Sequence, residues 1–246
     1  AMIAMKQAVS LAMKNEAKVT ICHIATSGED EMDLSQFAAY ANSCGVKYDA
    51  LTAEGDLFHE ASAIVERHNP DLILVGTHGM QGVKQHLFGS AVFKLVSNLA
   101  SPTLVMNDNT EVVESGFRNV MMPVAPHADY LNKVEQTCRV LADDGVIVIF
   151  AIVKPGVGLD DDTKANIEQA KKLLDEKGVK WEYKEADANR FSVGYSQDTL
   201  DYVKENNMDL ISIMANIATR NAHFGKMDKE NMLLNDAGIP VLCANS

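Results

Sequence analysis

The chain repeats itself. Asn69-Pro70-Asp71-Leu72-Ile73 recurs as Asn207-Met208-Asp209-Leu210-Ile211, and Pro102-Thr103-Leu104 recurs as Pro240-Val241-Leu242, both at a separation of 138 positions. One separation shared by two distant places leaves no gap between them, which marks a duplicated unit. Within each unit, short apolar runs alternate with segments of helical period. That alternation is the pattern of a parallel sheet with helices on both faces.

In the first unit, Met2, Met5, Ala8, Val9, Ala12 and Met13 fall at helical spacing. A buried strand is expected over 18–25, a polar turn over 26–31, helices over 32–44 and 56–68, and strands over 46–52, 71–75 and 103–106. Asn69-Pro70 stops the helix before the strand at Asp71. A polar, acidic connection, 107–116, leads to the second unit. There strands are expected at 119–124, 146–153, 179–184, 209–214 and 241–244, and helices at 129–141, 160–177, 196–205 and 229–235.

The most informative stretch runs from Asp71 to Asn107. A strand is followed by a loop bearing Gly76, Gly79, Gly82 and Gly89, and then Ser90 is expected to open a helix with Val92, Leu95, Val96 and Leu99 on its apolar face. Glycine lets a backbone approach a ligand closely, and a helix start presents unpaired N–H groups and positive dipole. Strand, glycine loop and helix start together suit a phosphate.

Composition bounds the rest. The 246 residues are 47% apolar and 23% charged, ordinary for a folded protein of one large or two small domains. No apolar run approaches the roughly 18–20 residues that span a bilayer. A net charge of −12 argues against nucleic acid or anionic lipid as a partner, so any phosphate site must be a local exception. Cys22, Cys44, Cys138 and Cys243 are scattered, form no CxxC pair and read as buried filler in a reducing, cytoplasmic setting.

Gly76-x2-Gly79-x9-Gly89-Ser90 resembles the nucleotide-loop signature G-x2-G-x9-G-[ST] of the universal stress protein family. The flanking ILVG, THG and SPTLVM segments agree with it. The resemblance implies an α/β fold of two tandem doubly wound, Rossmann-like parallel-sheet domains with strand order 3-2-1-4-5, over residues 1–110 and 117–246. It also implies an adenine nucleotide, ATP or AMP, with Mg as an accompanying ion. The ligand would lie against Gly76, Gly79, Gly89, Ser90 and Ala91, with Ile24 and Val75 bordering the nucleoside. Family members commonly pair through their last strands, so 103–106 and 241–244 are expected to join the units as an internal pseudo-dimer, and a homodimer is compatible with the same habit.

Two departures sharpen these expectations. At the separation of 138, Gly76, Gly79, Gly89 and Ser90 fall on Met214, Ile217, Met227 and Asp228, so the second unit is expected not to bind a nucleotide in the family's manner. Ala125 stands where the family often has an adenine-recognising aspartate. Matching Val19-Thr20-Ile21 to Val146-Ile147-Val148 gives a separation of 127, which leaves 117–127 without a first-unit counterpart. That strand is central in the family's sheet, and its loss would leave backbone groups unpaired. A segment preceding Ala1 is therefore expected to supply it.

No catalytic set or metal cluster emerges. His23 reads as a core or site-lining residue, and Asp160-Asp161-Asp162 as a helix start favoured by the dipole. Thr77 and His78 shape the turn, while Lys84 and His86 are candidates for supplementary phosphate contacts. The expected function is nucleotide binding coupled to stress regulation. A nucleotide-independent interaction module of the same fold and a weak ATPase or nucleotidyl transferase are the alternatives.

Overall fold

A computed structural model describes residues 1–25, 32–77, 85–153, 156–188, 195–216 and 225–245, with backbone alone for 85–89. The expected turn at 26–31 and the loop positions His78, Gly79, Gly82 and Lys84 lie outside them, as does the side chain of His86.

The described elements follow the predicted alternation. They are α1 (Met2–Asn15), β1 (Val19–Ala25), α2 (Ser35–Ser43), β2 (Tyr48–Glu54), α3 (Leu57–His68), β3 (Ile73–Gly76), α4 (Gln85–Asn98) and β4 (Thr103–Met106), then β5 (Phe117–Pro123), α5 (Tyr130–Val140), β6 (Leu141–Val153), α6 (Asp161–Glu176), β7 (Lys180–Asp187), α7 (Ser196–Glu205), β8 (Leu210–Met214), α8 (Lys226–Leu233) and β9 (Val241–Ala244). Helix starts follow local chemistry. Asp56 caps α3 by accepting from Phe58 N and His59 N, and Asp160 caps α6 by accepting from Thr163 N at 2.8 Å.

One sheet holds seven strands in the order β3-β4-β9-β8-β5-β6-β7, and β1 pairs with β2 in a separate sheet. Read from β7 to β9, the second half has the order 3-2-1-4-5, parallel throughout. The join is antiparallel, with Leu104 opposite Leu242. Those two leucines are themselves 138 positions apart, so equivalent residues meet at the centre of the join.

Strand residues alternate between two cores, as the pleat requires. Val120, Met122, Ile147 and Ile149 face α5 and α6, where Tyr130, Val134, Ile167 and Leu174 are buried. Met121, Val148, Phe150 and Ile211 face the other way, among Val92, Val96, Val203 and Met232 of α4, α7 and α8. Gly116 opens β5 at φ 97°, where a Cβ would stand 2.7 Å from the Val140 carbonyl oxygen.

The first half is built differently. Among the described residues its strands form two separate pairs, β1-β2 and β3-β4, with no strand between β1 and β3. Every residue of β3 is only partly buried, whereas β8, its counterpart, is buried throughout. Asp209 shows what the central strand contributes: its carboxylate accepts from Arg118 N at 2.7 Å and Asn119 N at 2.9 Å, both on β5. Asp71, the equivalent residue, is exposed and meets Arg139 at 3.5 Å.

Three expectations are corrected. Of the four cysteines only Cys243 is buried, Cys22 being exposed and Cys44 and Cys138 half-buried. In β1, expected as a buried strand, Ile21 alone is buried. Ser90 does not open a helix: α4 begins at Gln85, so Gly89, Ser90 and Ala91 lie past its first turn. Gln85, His86, Leu87 and Phe88 tolerate helix well enough to carry one interior glycine, which costs about 1 kcal/mol relative to alanine.

Candidate functional site

The first-half candidates cluster at the C-terminal end of β3 and in the first turns of α4. Val75 pairs with Val105 and packs partly buried against Val65, Leu95 and Leu99. Gly76 ends the strand opposite Met106, and Thr77 behind it is buried. A Cβ on Gly76 would meet Ala1 and Ala4 at 3.5–3.8 Å, ordinary contact distances. Crowding therefore does not require glycine there. Ile24 sits near the C-terminal end of β1, in the other sheet. His23, also on β1, has a buried Nε2 without a hydrogen-bond partner among the described residues.

Because α4 starts early, the amides of Ser90 and Ala91 point back to carbonyls of the preceding turn and are not free donors. The Ser90 hydroxyl is engaged across the molecule, donating to Glu230 Oε1 of α8 at 2.8 Å. Glu230 also lies 3.6 Å from Lys226 Nζ. A phosphate reaching Ser90 would have to displace or share that carboxylate.

At the equivalent place in the second half, the expected substitutions have a structural role. Asp228, on the Ser90 position, is buried and accepts from Tyr195 N at 2.9 Å, Ser196 N at 3.0 Å and Gly225 N at 3.2 Å. It ties the starts of α7 and α8 together with the kind of backbone donors that otherwise hold an anion. Met214 and Ala125 are buried at the strand ends.

Three basic residues here escaped the sequence reading. Lys133 and Lys229 are 2% and 1% exposed. Lys133 Nζ donates to the Pro123 carbonyl at the end of β5, and Lys229 Nζ to the Asn216 carbonyl just beyond β8. His127 follows β5 in a turn held by Asn166 Nδ2, which donates to the Ala125 and His127 carbonyls. Burial, and then the Lys229 charge, push Lys133 well below the ordinary lysine range. Burial lowers Lys229 to about 8, and burial with both lysine charges lowers His127 to about 4. Two signals were available: Lys133 lies one turn from the apolar Tyr130 and Val134 face, and Lys229 occupies the position of Ala91 at the separation of 138.

Strand order and the glycine loop between β3 and α4 define the class, a doubly wound α/β protein with its candidate site at the C-terminal ends of parallel strands. By sequence, residues 27–107 match the model of the universal stress protein family. No curated protein matches by sequence. A universal stress protein from Archaeoglobus fulgidus DSM 4304 superposes with a TM-score of 0.67 at 12% identity, covering 99% of this chain and 91% of that one. A functionally unknown protein from Pseudomonas aeruginosa PAO1 gives 0.60 at 13%, covering 98% and 86%. The cytoplasmic domain of a prokaryotic cation chloride cotransporter gives 0.50 at 10%, covering 93% and 84%. At such identities the likeness speaks for fold alone. Among the described residues, no helix is long and apolar enough to cross a membrane.

Proposed function

We propose that the first half binds an adenine nucleotide, ATP or AMP with Mg accompanying it, along Gly76, Gly79, Gly89, Ser90 and Ala91, and that binding serves a regulatory role in a cytoplasmic stress response. The observation that carries this reading is the loop spacing in its β3–loop–α4 setting, inside the segment matched to the family. Gly76 supports it, since neither crowding nor a left-handed backbone accounts for a glycine there. In this reading residues 1–110 and 117–246 are tandem domains joined through β4 and β9 as an internal pseudo-dimer. Asn107 and Asn245, also 138 apart, support that arrangement. Asn107 Nδ2 donates to the Asn235 carbonyl, and Asn245 Nδ2 to those of Leu99 and Ser101, each reaching beyond a helix of the opposite half.

Calorimetry with ATP and AMP tests the site, beside a Gly89→Glu variant. Glutamate is a better helix former than glycine, so the variant keeps α4 while crowding and repelling a phosphate. One saturable site per chain, lost in the variant, is the expected result. The Ser90–Glu230 hydrogen bond and the intrahelical Ser90 and Ala91 amides favour a second reading, a nucleotide-independent interaction module. Absence of binding by the folded chain would select it.

A further inference from the structure

Lys133 and Lys229 are buried beside neighbouring strands at the point where the second half's strand order reverses. An ammonium carries three donors, and each of these spends one on a main-chain carbonyl. Lys133 also lies over the Tyr130 ring, 4.4 Å from its centroid. The Tyr130 hydroxyl is buried without a partner among the described residues.

A buried charge needs a counter-charge or pays for its absence. Among the described residues neither lysine has a carboxylate within ion-pair distance, and Asp228 is committed to three backbone N–H groups. Asp129 bears on His127, and the Cys243 thiol, pushed up to about 12 by burial, is the acidic group that bears on Lys229. In a chain of net charge −12, these basic groups bear on one another with no ion-paired carboxylate among the described residues.

We propose that the second half binds a small oxyanion of the inorganic phosphate class through the ammonium groups of Lys133 and Lys229, with His127 beside them. The anion supplies a counter-charge and takes up lysine donors that have no other acceptor among the described residues. Met214 and the Asp228-tied helix starts occupy the space of a family-type phosphate loop, which selects an ion over a nucleotide. The site is separate from the first-half glycine loop and does not rest on nucleotide binding there.

The test titrates the full chain, in phosphate-free buffer, with inorganic phosphate against sodium chloride at matched ionic strength, and in a second arm with ATP. Melting temperature and the NMR titration of the lysine ε-groups are read together. Saturable phosphate binding should raise the melting temperature and move the Lys229 titration upward. Lys133→Met and Lys229→Met, which keep volume while removing charge, should fold and each weaken phosphate binding by about tenfold or more, the worth of a charge-assisted hydrogen bond. Gly89→Glu should leave it unchanged. An absent or non-saturable phosphate effect, equal affinity in the methionine variants, or loss of phosphate binding in Gly89→Glu would each overturn the proposal. ATP binding that shifts the lysines in place of phosphate would do so as well.

Discussion

From their first helices onward the two halves carry the same order of elements, and they treat one position in opposite ways. In the second half, Asp228 gathers three backbone N–H groups at the starts of α7 and α8. In the first, the equivalent Ser90 carries only a hydroxyl, which donates to a carboxylate from across the join. One half has internalised an anion, while the other retains a glycine loop suited to an external one. The same contrast recurs at the next position, where Ala91 is matched by the buried Lys229.

The largest expected effect concerns Lys229. Its folded-state value, about 8, lies below the ordinary 10.5. Between those values the unfolded chain binds more protons, so stability should rise with pH through this window. At pH 7 the full cost, about 3 kcal/mol, is present, and above pH 10.5 it is gone. Lys133 adds to the trend with the same sign. Urea unfolding of the wild type in phosphate-free buffer should therefore show a larger gain from pH 8 towards pH 10 than Lys229→Met does; parallel profiles would refute the burial cost.

Asp228 and Ser90 can be compared directly. Asp228→Ala strands three backbone donors and should cost about 2–3 kcal/mol, against about 1 kcal/mol or less for Ser90→Ala. Equal losses in chemical denaturation would erase the distinction between the halves. Asp209→Ala, which releases Arg118 N and Asn119 N, should cost about 2 kcal/mol, while Asp71→Ala should stay within about 0.5 kcal/mol because its ion pair is exposed. The smallest effect is functional. Glu230→Gln removes a negative charge beside Ser90 and should tighten ATP binding by about threefold, some 0.7 kcal/mol, measured by calorimetry.

The repeat, the alternation of strand and helix, and the helix starts near Asp56 and Asp160 were all readable from the chain, because period and start signals are local. The second half's strand order came from the resemblance, and the β5–β8–β9 pairing agrees with it. The true start of α4 was not readable. The expected boundary was drawn from a ligand pattern, whereas Gln85 to Phe88 continue a helix whose Ser90 is engaged by Glu230.

What the sequence by itself determined is the inventory: two copies of one α/β plan, three loop glycines and their loss in the second copy. Tertiary structure decided the partners. Whether Asp228 repels a ligand or caps two helices, whether Lys133 and Lys229 are solvated or buried, and which residue Ser90 meets all depend on chain segments far apart in sequence. Only the sheet brings those segments together, and burial then sets the energy of every charge it encloses.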